Sequence, residues 1–423
     1  MVVRSSGKVS DMAAPAAPFS PAAARRATLF ALTVVFLDVV GFGLLIPVLP
    51  RLIEEIGGIG LDDAARVGGW LFAVYSLLQF LCAPLAGALS DRFGRRPLLL
   101  IAIAGLAVDY VVQALAPTLF WLFVGRFAAG ICGSSHVIAS AMIADANPPE
   151  TRARSFGLMS AAFGLGFVLG PALGGLLGEF GTRVPFWCAA GLAGVNFLFG
   201  LLAVPELLPA DRRRPFRLAE ANPLGVLAVF ARFPGVLPLA AVIGVFFFGG
   251  SVYAAVWTFW GMAKFGWSGS MVGLTLAASG LTVALLQGFV SGPAVKRWGE
   301  RPLAALGLGG AALSCIGFGL APTTLAVVIM LVINAIEGFA HPMLAALMSR
   351  AVPADTQGAL QGGISALLSL AMLTGSLFYT QLFGYFLSEA APFRSPDVPY
   401  FVAAVVMTAA FVGFLVWQRR HAA

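Results

Sequence analysis

Apolar residues in this chain come in long runs, not in the alternations of period 2 or 3.6 that mark water-facing elements, and polar punctuation separates the runs. A helix needs about 20 mostly apolar residues to cross a hydrocarbon layer. Runs of that size predict spans over residues 28–50, 69–89, 98–116, 119–143, 155–178 and 185–204. A second set is predicted over 236–258, 271–292, 302–320, 324–349, 358–386 and 398–418. In lipid every backbone N–H and C=O must be satisfied within its own segment, so these runs predict helices. The expected fold class is an all-α membrane protein of twelve transmembrane helices.

The polar intervals divide the chain. Residues 1–27 are rich in Ala and Pro and read as a disordered tail without the apolar core of a signal peptide. Residues 205–235 form the longest polar interval, with "DRRRPFR" at Asp211–Arg217 followed by an amphipathic "LAEANPLGVLAVFARF". This predicts a linker lying partly on the membrane surface. It separates a six-helix unit at 28–204 from a second at 236–418, and a short tail closes the chain at 419–423. The two units are related. A shift of 205 residues carries "GALSDRFGRRP" (Gly87–Pro97) onto "GPAVKRWGERP" (Gly292–Pro302), matching Gly87, Arg92, Gly94, Arg96 and Pro97 to their own kind. The same shift puts Thr151 on Thr356 and Gly157 on Gly362. One constant offset across separate loops marks an internal duplication into two pseudo-symmetric bundles in the same orientation.

Composition sharpens this picture. The chain is 59% hydrophobic and 11% charged, against about 25% charged in soluble domains. The net charge of +7 would suit nucleic acid in a soluble protein, but its placement points to the membrane. Of the 26 basic residues, 20 fall in segments that are cytoplasmic when both termini are cytoplasmic, 5 fall outside, and Arg126 alone lies within a span. That bias predicts an inner-membrane protein with both ends inside. Cys82, Cys132, Cys188 and Cys315 all sit in apolar runs and read as packing residues. There is no nucleophile–base constellation, metal-ligand cluster or phosphate loop, so an enzyme, a metal site, a cofactor and a nucleic-acid partner are not expected. The expected partners are lipid, protons and a small-molecule substrate, handled by a monomer.

Several motifs together resemble the major facilitator superfamily, and within it the twelve-span drug/proton antiporters typified by tetracycline efflux proteins. "GALSDRFGRRP" resembles the superfamily's loop between spans 2 and 3. "LDVVGFGLLIPVLP" (Leu37–Pro50) resembles span 1 of the tetracycline proteins, and "GRFAAGICGS" (Gly125–Ser134) the arginine motif of span 4. "GFVLGPALGG" (Gly166–Gly175) resembles the antiporter motif of span 5, carried by Gly166, Gly170, Pro171, Gly174 and Gly175; "DTQGALQG" (Asp355–Gly362) adds a narrower match. The resemblance covers about residues 28–418. It implies the major facilitator fold and a proton-coupled antiporter that exports amphipathic small molecules by alternating access. Two positions depart from it: Val283 and Ala311 stand where the tetracycline proteins carry a histidine in span 8 and an aspartate in span 9. The substrates that the resemblance implies are tetracycline-like or other drugs, with Glu337 and His341 as a local replacement for the two missing polar residues.

Of 19 acidic residues, Asp38, Asp109 and Glu337 fall within spans. An ionised side chain costs about 2.5–3.5 kcal/mol at a helix centre, and such residues mark ion pathways or pairs. By the resemblance, Asp38 matches the membrane acid of the antiporters and Arg126 the arginine implicated in proton coupling. An acid whose proton affinity is tuned by a movable guanidinium can load and release a proton. A fixed salt bridge is the plainer reading, and Asp109 competes for Arg126 because both stand about eight residues from the turn at Pro117. Glu337 and His341, four apart in span 10, share a helix face; they can relay a proton, meet a cationic substrate, or satisfy each other beside Pro342. Tyr75, Gln79, His136, Gln287 and Gln361 are the other polar span residues that can contact substrate or simply bond neighbouring helices. In the loop motif, Arg92, Arg95 and Arg96 hold the cytoplasmic side, Gly87 and Gly94 permit a tight turn, and Asp91 is expected to meet the N-terminus of span 11 when the transporter faces outward. Lys296 replaces that aspartate in the second copy. A proton-coupled importer and a non-transporting receptor on the same fold are the competing functions.

Overall fold

The computed structural model describes residues 21–421 apart from 207, 209–212, 214–224, 234 and 354–355. Among the described residues twelve helices are long and apolar enough to span a membrane. Spans 1 to 6 are Ala22–Leu45, Leu61–Phe93, Arg95–Leu115, Leu119–Ala146, Glu150–Gly178 and Val184–Ala203. Spans 7 to 12 are Leu237–Phe265, Gly269–Trp298, Glu300–Leu320, Thr324–Arg350, Gln357–Leu387 and Val398–Arg420. With an even number of crossings, the first and last described residues lie on one side, called here the terminal face.

The duplication is written into the backbone. Spans 3 and 9 both run 21 residues and their ends differ by the same 205 positions. Gly94 and Gly299, which precede them, both take positive φ (109° and 78°) with extended ψ, a conformation open to glycine and strained for other residues. The turns that follow agree as well: Thr118 at φ −144°, ψ 160° and Thr323 at φ −143°, ψ 158°. Span 4 is interrupted at Gly133–Ser134, between helices Leu119–Cys132 and Ser135–Ala146, and span 10 is interrupted by a 3-10 turn at Ala335–Phe339. The offset places Gly133 on Gly338, so the two breaks are one inherited feature.

Several expected boundaries move. Span 1 ends at Leu45 and not at 50, because Pro47 disfavours helix in the residue before it; a separate buried helix, Leu49–Gly57, follows with Pro50 in its first turn. At its other end, the helix carrying span 1 begins at Pro21, so residues 21–27 of the expected tail are helical, as Pro at the first helical position and "AAARRA" favour. Residues 1–20 lie outside the described part. Span 2 begins at Leu61, eight residues before the apolar run, with Asp62 and Asp63 set against the positive end of the helix. In the linker, Gly225–Leu227 and Ala228–Arg232 form short helical turns that pack on span 11 with Val229 and Phe230 buried. Most of "DRRRPFR", the first part of the amphipathic stretch and Asp355 lie outside the described residues.

The two halves meet at the face opposite the termini. Spans 2 and 11 form one seam and spans 5 and 8 the other. Gln381 of span 11 donates to the Arg66 carbonyl at 3.1 Å, and Thr258 of span 7 donates to the Ile46 carbonyl at 3.4 Å. Gly69 leaves room for Thr380, and Gly384 for the side chain of Arg66. A cavity of about 540 Å³ opens at the terminal face, lined by Gly87, Asp91, Arg95, Val137, Ala141, Asp145 and Leu208.

Candidate functional site: a buried charge cluster and a loop clamp

Three of the four charged residues expected within spans come together in the N-terminal half. Asp38 of span 1, Asp109 of span 3 and Arg126 of span 4 line one small cavity with Tyr75, Tyr110 and Ser135. Its volume is about 40 Å³, room for a water molecule. The Asp38 carboxyl thus faces an internal polar space and not acyl chains. Arg126, however, is not paired with Asp38. Its Nη2 donates to Asp109 Oδ2 at 2.9 Å, and Gln113 donates to Asp109 Oδ1 at 2.7 Å. Asp109 is fully buried and Arg126 is 8% exposed. The guanidinium also lies 5.6 Å from the Tyr75 ring centroid, a cation–π contact, while its Nε is buried without a partner. Asp38 is held by the hydroxyl of Ser135, which donates to its Oδ2. Ser135 reaches it because the break at Gly133–Ser134 turns the start of the second half of span 4 toward span 1. In this conformation Arg126 is bonded to Asp109, as the fixed-pair reading expected, and Asp38 stands apart with a neutral partner.

The other polar candidates fall elsewhere. Gln79 donates to the Gly133 carbonyl at 2.9 Å and to the Tyr75 hydroxyl at 3.2 Å, tying span 2 to the break in span 4. His136 sits exposed against Phe163, and Gln287 and Gln361 are exposed. Glu337 and His341 do not satisfy each other: among the described residues no hydrogen bond or ion pair joins them. The reason is the 3-10 turn, whose 3-residue period moves positions four apart onto different faces. The His341 ring packs on Phe247 at 5.2 Å. Glu337 instead points into the C-terminal bundle: a Cβ on Gly250 would lie 3.6 Å from its Oε1, its Oε2 is buried without a partner, and Tyr253 and Cys315 stand nearby. Tyr253 itself donates to Asn334 at 3.0 Å.

The loop motif builds a clamp at the terminal face. Arg95, expected as a solvent-side anchor, is 8% exposed. It bonds Asp91 (2.5 Å), Asp145 of span 4 (2.9 Å) and the Ser90 hydroxyl (2.6 Å), locking spans 2, 3 and 4 together. Arg96 caps the end of span 6 through the Leu201 carbonyl at 2.7 Å, and Arg92 lies over the Phe93 ring. Glu206, just after span 6, accepts the backbone N–H groups of Arg95, Arg96 and Leu208 at 3.2, 3.1 and 2.8 Å. It sits where a side chain on Gly94 would have to go. Sequence reasoning missed Asp145, Ser90, Ser135 and Glu206; the signal for Glu206 was a lone acid directly abutting an apolar run. Removing its carboxylate strips the first turn of span 3 of its cap, so Glu206→Ala will lower stability by about 1–2 kcal/mol. A thermal unfolding scan in detergent checks this, with Glu206→Gln retaining part of the loss.

The antiporter motif divides its residues between two partners. Gly166, Gly170 and Gly174 face span 1: Gly170 and Gly43 meet backbone to backbone, and a Cβ on Gly174 would strike Leu44. Gly175 faces span 8 of the other half, where it meets Gly269, and Pro171 touches both partners, its ring on Gly43 of span 1 and its carbonyl on Gly273 of span 8. Span 5 therefore touches both the helix that carries Asp38 and the seam between the halves. Gly87, by contrast, has only an ordinary contact with Val137.

The profile of the Major Facilitator Superfamily matches residues 31–376 and 239–423. The tetracycline resistance protein of class C from Escherichia coli is 43% identical over 361 residues, covering 85% of this chain and 90% of that one. The class B protein of Escherichia coli is 33% identical, covering 85% and 88%. Among solved structures, the human organic anion transporter MFSD10 (TETRAN) superposes with a TM-score of 0.69 at 24% identity over 92% of this chain and 99% of that one. The nucleoside transporter NupG gives 0.73 at 12% identity, covering 92% and 98%, a likeness of fold. Profile, relatives and duplicated helical architecture agree, and the chain belongs to the Major Facilitator Superfamily.

Proposed function

We propose that this protein is a proton-coupled antiporter that exports amphipathic small molecules, tetracyclines among them, across the inner membrane, working as a monomer with both termini in the cytoplasm. The single observation that carries this reading is that Asp38, Asp109 and Arg126 line one internal cavity. One guanidinium facing two carboxylates can neutralise only one of them. The other is stable in a low-dielectric space only as the neutral acid. Arg126 held by Asp109 leaves Asp38 the proton carrier; movement of Arg126 toward Asp38, for which its unpartnered Nε is free, releases that proton. The described contacts that join the halves through Gln381–Arg66 and Thr258–Ile46 lie at the face opposite the termini, and a cavity opens at the terminal face, an arrangement that under this topology supports the inward-facing state. There the proton leaves to the cytoplasm and substrate takes its place.

Export is favoured over uptake by the relatives, which are tetracycline resistance proteins. Glu337 is the second acid of the mechanism. Gly310, next to Ala311, packs on the Ile336 side chain with Glu337 N behind it, and Gly338 packs on Leu286 and Val283. The backbone at Glu337 thus lies near the two positions, Val283 and Ala311, at which the family resemblance puts polar residues that this chain lacks.

The test is transport in vesicles carrying an imposed pH gradient, with tetracycline and a panel of unrelated amphipathic drugs. Gradient-driven export is expected from the parent. Asp38→Asn is expected to abolish it while leaving the melting temperature unchanged, since Ser135 can donate to the amide oxygen as well. Export indifferent to the gradient, or coupling lost in Asp109→Asn but kept in Asp38→Asn, would overturn the assignment.

A further inference from the structure

The seam between spans 5 and 8 holds a contact that the mechanism above does not use. At the face opposite the termini the two backbones touch, with Gly175 set against Gly269 and the Cα of Ser270. Just beyond this point span 5 ends, and Glu179, its C-cap residue, reaches across the seam. Glu179 Oε1 accepts the backbone N–H of Ser270 at 3.3 Å. Ser270 lies in the first turn of span 8, where four N–H groups have no partner within the helix. Span 8 already caps another of these from its own half, since Ser268 Oγ accepts from Met271 N at 3.2 Å. The remaining cap comes from the other half of the molecule. Among the described residues Arg51, on the Leu49–Gly57 helix, is the charged group that faces Glu179, and the hydroxyls of Ser270 and Ser268 also reach it.

The position has a counterpart at the other face. Asp91 stands at the end of span 2 as Glu179 stands at the end of span 5, and each N-half helix runs toward the start of a C-half helix, span 11 or span 8. Here the halves touch at Glu179, which is engaged, whereas at the terminal face Asp91 is paired within its own half, with Arg95 at 2.5 Å. We propose that Glu179 is the positioning residue that latches the closed face opposite the termini, by capping span 8 across the seam, and that this bond must break before that face opens. The proposal rests on alternating access and not on the identity of the substrate.

The latch is exposed, so its effect is moderate and falls with salt. A carboxylate at a helix N-terminus shifts an equilibrium about twofold to fivefold. The bonds to Ser270 hold the Glu179 carboxyl below the usual carboxylate range, with Arg51 adding to them. The sign follows. Because the folded, latched state has the lower pKa, the ionised latch is complete at neutral pH and above. It is lost only as pH falls through that lowered value, so it acts as a constant restraint at neutral pH.

Spin labels at Pro117→Cys and Pro322→Cys, the repeat-related turns of that face, read the opening by pulsed dipolar distances in a background lacking the four native cysteines. Glu179→Gln is expected to raise the open-to-closed ratio about twofold to fivefold at pH 7.5, and Glu179→Asp to raise it less. The parent's ratio is expected to rise only on acidification below the usual carboxylate range, and that of the Gln variant to stay flat. Glu55→Gln removes a carboxylate at the same face whose bond to Thr182 stays within one half, and should leave the distances unchanged. An unaltered ratio in Glu179→Gln, or an equal shift in Glu55→Gln, overturns the latch. Gradient-driven export by the parent, measured separately, judges the transport reading, so either can fail without the other.

Discussion

Replacing Arg126 with leucine will destabilise the protein by about 3–5 kcal/mol, because it leaves a buried carboxylate without its counter-charge. Asp109 has no solvent exposure, and its two oxygens are divided between Arg126 and Gln113. A Cβ on Gly125 would strike its Oδ1 at 2.5 Å, so that oxygen is closely walled, and a water entering the adjoining cavity beside Oδ2 cannot supply the lost positive charge. Proton-driven export will disappear together with the stability. The double variant Asp109→Asn/Arg126→Leu separates the two effects: with both charges gone it will recover most of the melting temperature and none of the export. Arg126→Lys will keep a charge beside Asp109 but lose the planar fork that serves two acids, and is expected to fold while exporting poorly. Thermal unfolding and vesicle transport on the three variants check this. Full stability of the single leucine variant would mean that Asp109 is neutral in the resting protein.

How much of this was readable beforehand depends on the kind of information. Helix number, the halving of the chain and the repeat were legible because lipid imposes long apolar runs and because a 205-residue offset survives in Gly94/Gly299 and Arg96/Arg301. The membership of the charge cluster was legible for the same reason: Asp38, Asp109 and Arg126 stand out in apolar surroundings. Which acid holds Arg126 was not, since span 3 and span 1 both present a carboxyl at that depth and only the packed arrangement decides. Glu337 and His341 misled through spacing, because an i, i+4 pair shares a face only if the helix is unbroken, and the inherited interruption of span 10 falls between Asn334 and Ala340. Glu179 and Glu206 were hidden differently. Both look like ordinary loop acids, and their significance lies in backbone N–H groups supplied by helices 91 and 111 residues away in sequence.

Gly175→Val will hold the protein open at the face opposite the termini. The backbones of spans 5 and 8 meet there: a Cβ on Gly175 would lie 2.9 Å from both the carbonyl carbon of Gly269 and the Cα of Ser270. Neither neighbour is a flexible side chain that can turn away, so a branched residue forces the helices apart. Overpacking of this kind costs about 1–3 kcal/mol, and here the cost falls on the closed state alone. The open-to-closed ratio should therefore rise about five- to 150-fold, which exceeds the effect expected from loss of the Glu179 cap because a steric block is unaffected by salt or water. Gly273→Val, which strikes the Pro171 carbonyl from the other side of the seam, should do the same. Gly164 is in span 5 as well but has open space around it, so Gly164→Ala should leave both conformation and export intact. The same pair of spin labels reads the opening, and vesicle transport reads the consequence. Alternating access requires each face to close in turn, so a protein that cannot close this one will bind substrate but not export it; export at the parental rate from Gly175→Val would show that the seam does not need to close.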